Sequence, residues 1–185
     1  MKIGTKLTTG FGVAIVGLII CNIIAIFDMM SLNSGTKEIV EDWFPKTVWS
    51  NDIIDALNDN ARAIRNILLS DNPQELSDAK KRFEADAIVV TESMKKLEEK
   101  VKLPKEKDIL QKIQTVRAKY TPTRNKIVEL YEAGKADEAK KLLFTDFREI
   151  QNDYIKFAGE LIEYQKSLMI EDGKNAENTD RKSVV

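Results

Sequence analysis

Residues 143–168 read LFTDFREIQNDYIKFAGELIEYQKSL. Leu143, Phe147, Ile150, Tyr154, Phe157, Leu161, Tyr164 and Leu168 recur in alternating steps of four and three. Those steps trace one stripe along a helix of about 3.6 residues per turn. Chance seldom supplies so long an unbroken series. The stretch reads as a stiff amphipathic rod that buries one face.

Three more seams of the same kind lie upstream. They are Ile53, Leu57, Asn60, Ile64, Ile67; then Phe83, Ala87, Val90, Met94, Leu97, Val101; then Ile109, Ile113, Val116, Tyr120, Thr123, Ile127, Leu130. Four seams imply four helices, expected at about 31–70, 73–101, 104–133 and 136–180. The breaks carry turn chemistry. In Ser70-Asp71-Asn72-Pro73, Asn72 suits an N-cap, and Pro73 suits the first helical position, where a missing N–H costs nothing. Leu103-Pro104 opens the third helix in the same way. Gly134 fits a C-terminal cap, and Asp137 and Glu138 put negative charge in the first turn of the fourth. Loops this short make successive helices antiparallel. The fold class is therefore all-α: an up-down-up-down four-helix bundle. Pro45 and Pro122 each remove an intrahelical hydrogen bond and should kink their helices. The carbonyls near residues 118–119 then lose their usual partner, which is either tolerated strain or the wall of a pocket.

Ahead of the bundle, Lys2 and Lys6 precede an apolar run over 7–30 with no charge before Asp28 and one strongly polar side chain, Asn22. A bilayer crossing takes roughly 20 mostly apolar residues. The rival is a cleaved signal peptide, whose apolar core is shorter and ends in a small-x-small site. Ala25-Ile26-Phe27-Asp28-Met29-Met30 offers none, so the run reads as an uncleaved transmembrane helix continuing into the bundle. The lysines keep residues 1–6 cytoplasmic and put 31–185 outside. The basic and then apolar ending, Arg181-Lys182-Ser183-Val184-Val185, reads as the approach to a second transmembrane helix beyond this sequence.

Composition removes whole classes of chemistry. The 185 residues carry 29 Lys and Arg against 30 Asp and Glu, a net charge of −1, so nothing draws the chain to nucleic acid. There is no histidine, hence neither the commonest general base nor the commonest metal ligand. The one cysteine, Cys21, sits in the apolar run, so the exported part is held by packing alone. No nucleophile–base pair, metal cluster or phosphate loop is visible. The expectation is a non-enzyme without cofactor or metal.

The opening Met1-Lys2-Ile3-Gly4-Thr5-Lys6-Leu7 with Gly10-Phe11, the apolar run, Trp43-Phe44-Pro45, Asn66-Ile67-Leu68-Leu69-Ser70-Asp71 and Gly134-Lys135-Ala136-Asp137-Glu138-Ala139 stand in an order and spacing that resemble a known family. It is the four-helix-bundle sensor region of bacterial methyl-accepting chemotaxis receptors, and the likeness covers essentially the whole chain. The resemblance implies a homodimer in the bacterial inner membrane, with its bundle in the periplasm. It also implies a cytoplasmic part, absent here, that acts on a kinase and an adaptor. In that family, small anions bind between helices, often near the dimer interface.

Arg117, Tyr120 and Arg124 are the leading candidates for ligand binding. They sit at i, i+3 and i+7, so they share one side of the third helix. Guanidiniums fork hydrogen bonds onto carboxylates, and two of them about 10 Å apart along the axis match a small di- or tricarboxylate. Thr121 offers a hydroxyl beside Pro122, and Thr91 on the second helix is a further candidate. The competing reading is that Tyr120 packs in the core while both arginines pair with glutamates. Arg62 and Arg65 on the first helix are candidates because the family resemblance implies first-helix arginines at the ligand; simple surface ion pairing competes. Asn60 is an unusual polar residue in a seam, a place where such residues set register or pairing.

The function expected is a ligand-sensing module that binds a small anionic metabolite, such as malate or citrate, and passes a helix shift across the membrane. The alternatives are the sensor of a histidine kinase or cyclase, a module that reads a loaded periplasmic binding protein, and a structural membrane-anchored bundle with no small ligand.

Overall fold

The computed structural model describes residues 3–70 and 72–183 of the chain. Expectations that rest on Lys2, Asp71, Val184 and Val185 lie outside them. All described elements are helical: α1 (Ile3–Glu38), a π turn (Ile39–Trp43), α2 (Phe44–Leu69), α3 (Pro73–Lys100), α4 (Pro104–Glu132), α5 (Ala136–Leu142), a second π turn (Leu143–Phe147) and α6 (Arg148–Ser183). The chain divides into two units, Trp43–Ser167 and Met1–Asp42 with Leu168–Val185.

Trp43–Ser167 is the antiparallel bundle. Its register is visible in cross-helix pairs. Lys80 of α3 meets Glu132 of α4 at 2.6 Å, whereas the Gln114 amide of α4 donates to Glu98 of α3 at 2.7 Å. Late α3 thus faces early α4. Between α2 and α3, Arg82 lies 3.7 Å from Asp59 and the Ser93 hydroxyl 3.5 Å from Asp52, again in opposite directions. The core is built from the predicted seams: Ile53, Leu57, Ile64, Met94, Leu97, Ile113, Ile127, Phe147 and Leu161 are almost fully buried.

The turns obey their local chemistry. The Asn72 side chain accepts from the Gln74 N–H at 3.0 Å, with Pro73 opening α3. Gly134 has φ +72°, the left-handed conformation that closes α4, and the Lys135 N–H reaches back to the Leu130 carbonyl at 2.9 Å. Gly134→Ala is expected to cost about 1 kcal/mol, because a Cβ is disfavoured in that region. A thermal midpoint unchanged by the substitution would contradict this.

Two of the four expected helices contain a π turn, Ile39–Trp43 within 31–70 and Leu143–Phe147 within 136–180. The last seam is not one unbroken α-helical rod: a π turn at Leu143–Phe147 separates α5 from α6. The fully buried line along α6 is Tyr154, Ala158, Leu161 and Gln165, with Phe157 and Tyr164 half-buried on its flank. Pro122 stands inside α4, which runs from Pro104 to Glu132. The Thr123 hydroxyl donates to the Lys119 carbonyl at 2.8 Å, so one of the carbonyls facing the proline finds a side-chain partner.

The other unit holds α1 and the end of α6. The large apolar side chains of α1, from Phe11 to Met30, are exposed. Asn22 returns its amide to the Leu18 carbonyl at 2.8 Å, satisfying a donor within the helix itself. The helix is long and apolar enough to cross a membrane.

Candidate functional site

Five of the candidate residues come together inside the bundle. Arg117, Tyr120, Thr121 and Arg124 of α4 line a cavity of about 50 Å³, and Arg117 donates to the Thr91 hydroxyl of α3 at 2.8 Å. Asn60, Asp86 and Tyr154 line the same cavity from α2, α3 and α6. Tyr120 packs against Phe147 at 5.0 Å between ring centroids and meets Tyr154 edge-on at 5.7 Å. Arg124 lies over the Phe83 ring at 4.8 Å, donates to Asn125 at 2.9 Å and reaches Asn60 at 3.5 Å.

Asp86 changes the electrostatics of this cluster. Burial pushes its carboxyl above the usual value and Asp59 adds to the effect, with Arg124 and Arg82 opposing. Burial lowers the Arg124 guanidinium, against the pull of Tyr120 and Asp86. Burial also pushes Tyr154 up to about 12, partly offset by Arg117, and raises Tyr120 further. Both phenols therefore stay protonated as donors at neutral pH. Their hydroxyls and Asp86 Oδ2 are buried without a hydrogen-bond partner among the described residues. A water needs roughly 10–15 Å³ of such space, so the cavity admits only a few groups of that size.

The first-helix arginines go elsewhere. Arg62 is exposed and lies 3.9 Å from Asp59. Arg65 lines a groove of about 390 Å³ between α2 and the second π turn, with Phe144, Arg148, Gln151 and Asn152. Neither reaches the Arg117–Arg124 cavity; Leu57 and Asn60 are the α2 residues there. The Arg65 Nε–H donates to its own helix at the Ala61 carbonyl, 3.0 Å away, which holds the side chain along α2 and leaves its terminal N–H groups available. Arg148 comes directly after the π turn, and Gln151 and Asn152 stand three and four residues further on, on the same face. Among the described residues, neither Arg65 nor Arg148 has an ion-pair partner. The groove thus presents two guanidiniums, two amides and the exposed ring of Phe144, in a volume typical of small-ligand sites.

Sequence reasoning missed Arg148, Gln151 and Asn152, because their face depends on the π turn. It missed Asp86 although Phe83, Asp86 and Val90 share one stripe; an acid at i+3 on a core seam was the available signal. It missed a third polar group altogether. Lys46, Glu106 and Gln165 are fully buried and joined, with Glu106 Oε1 accepting from Lys46 Nζ and Gln165 Nε2, each at 2.8 Å.

A profile of the family described as a four helix bundle sensory module for signal transduction matches residues 1–179. No curated protein matches the chain.

Proposed function

The chain belongs to the four-helix-bundle sensory modules of methyl-accepting chemotaxis proteins, and on that premise we propose that it senses a small carboxylate through the groove between α2 and α6. It is a sensory module of a chemoreceptor, and its family signals to cytoplasmic partners and dimerises. The ligand class and the site are the proposal. One observation carries it: among the described residues Arg65 and Arg148 are two guanidiniums without acidic partners on one groove, beside amides that orient and a ring that packs. A di- or tricarboxylate such as malate or citrate supplies the anionic oxygens they lack. The Arg117–Arg124 cluster likewise has no acidic ion-pair partner among the described residues, but its guanidiniums are engaged by Thr91, Asn125 and the Phe83 ring and its cavity is small.

Arg65 also lies on an exposed line along α2. Phe44, Val48, Asn51, Asp55, Asn58, Arg62 and Leu69 complete it in steps of four and three. That spacing suits pairing with the same helix of a second copy, apolar at one end and polar around the groove. The groove then opens beside the dimer seam. In this reading α1 anchors the module in the bacterial inner membrane and the bundle stands in the periplasm, as Lys2 and Lys6 indicate.

A ligand that binds only the folded state stabilises it by about 2.7 kcal/mol at one hundred times its dissociation constant. Thermal unfolding of the chain in detergent is therefore expected to shift upward with malate or citrate and to stay unmoved with their amides. No shift with any di- or tricarboxylate at millimolar concentration would remove the proposal.

A further inference from the structure

At the end of the bundle where the chain enters at Trp43 and leaves at Ser167, three elements meet at one carboxylate. Glu106 stands in the first turn of α4. Its Oε1 accepts from Lys46 Nζ of α2 and from Gln165 Nε2 of α6, each at 2.8 Å. Its Oε2 accepts from the backbone N–H of Lys102 at 2.8 Å and of Leu103 at 2.9 Å, which caps the turn between α3 and α4. The carboxylate is thus fully engaged, and all three side chains are at 0% exposure. Lys46 also lies over the Trp43 ring at 4.7 Å, and the Ser50 hydroxyl donates to the Lys46 carbonyl at 2.8 Å.

Such a group is a poor way to gain stability. A buried ion pair is often no better than apolar residues of the same volume, because desolvation offsets the attraction. Its directional bonds give something that leucines do not, namely one permitted register. The neighbours of Gln165 one turn away on α6 are Leu161 and Met169, and neither can donate to Glu106. Sliding α6 by a turn therefore leaves the carboxylate short of a donor. Even a small slide stretches the Gln165 bond, while the Lys46 and backbone bonds stay intact. Gln165 is also the weakest member, since its Oε1 is buried without a hydrogen-bond partner among the described residues, a cost of about 1–3 kcal/mol.

We propose that Lys46, Glu106 and Gln165 form a register lock that fixes the axial position of α6 against α2 and the α3–α4 turn, with the Gln165 bond as the part that yields when α6 moves. The lock rests on α6 as the output helix of the sensory module but not on the identity or site of the ligand, so its test uses no ligand. A signal carried as a shift of about 1–2 Å along α6 has to break or drag this bond. The lock thereby sets the resting state from which the sensor is displaced.

The test is the distance between spin labels at Lys107→Cys in the first turns of α4 and Glu163→Cys on α6, both exposed. The chain carries Cys21→Ser, sits in lipid nanodiscs and is diluted with unlabelled copies. The unmodified lock is expected to give one narrow distance. Gln165→Leu and Gln165→Met remove only the α6 arm and keep the volume. Each is expected to broaden the distribution or move its centre by at least about 2 Å, with the unfolding midpoint unchanged or raised. Wild-type distributions in both variants would overturn the proposal. So would loss of the helical fold in both, because a lock that sets register is not required for folding.

Discussion

Lys46→Met lowers the stability of the bundle by about 3–5 kcal/mol, the usual cost of removing one partner from a buried ion pair. Methionine matches the length of the lysine stem, so little volume is lost. What remains is the Glu106 carboxylate, at 0% exposure, held by Gln165 and two backbone amides with no cation beside it. Adding Glu106→Gln to Lys46→Met removes the stranded charge and is expected to recover a large part of the loss. Chemical denaturation of the two single variants and the double variant measures this, and additive single effects would contradict the coupling.

The same carboxylate makes an acid limb. Burial alone would raise the Glu106 pKa. The hydrogen bonds from Lys46, Gln165 and the Leu103 and Lys102 amides outweigh it and hold the value below the usual 4.5. A group whose folded pKa is depressed contributes stability that is fully present above its unfolded pKa and is lost as pH falls through the folded value. Wild-type stability should therefore fall as pH drops below the ordinary glutamate range. In Lys46→Met that contribution is smaller and disappears at a higher pH.

The second large effect concerns the groove. A hydrogen bond to a charged group contributes about 1.5–3 kcal/mol, or roughly 10- to 150-fold in affinity. Arg65→Ala and Arg148→Ala are each expected to weaken carboxylate binding by that factor, and together to abolish it. Arg148→Lys keeps the charge but loses the planar fork, so it should recover only part of the affinity. Arg124→Lys, in the closed cluster 24 residues before Arg148 in the chain, should leave affinity almost unchanged.

The bundle was legible in the sequence because its signals are local and repeated. Ile53, Leu57, Ile64 and Ile67 are buried where their spacing places them, and Gly134 and Asn72 cap where their chemistry directs. The groove was less legible. Arg65 was named, but its partners across the groove depend on a π turn at Leu143–Phe147, and a pattern of fours and threes reads straight through such a turn. The seam selected Phe157 and Tyr164, whereas Ala158 and Gln165 are the residues fully buried beside Tyr154 and Leu161. Arg117, Tyr120 and Arg124 were correctly placed on one side of their helix. The acid opposite them, Asp86, lies on another helix and is invisible to a reading of one helix at a time. Lys46, Glu106 and Gln165 stand about 60 residues apart along the chain, and residue type alone would have put all three at the surface.

The most direct measurement of the central claim is isothermal titration of malate and citrate into the chain in lipid nanodiscs, comparing wild type, Arg65→Ala/Arg148→Ala and Arg117→Ala/Arg124→Ala. The groove assignment predicts saturable carboxylate binding that is absent in the first double variant and persists in the second. Binding that survives Arg65→Ala/Arg148→Ala, or is lost only with Arg117→Ala/Arg124→Ala, would contradict it.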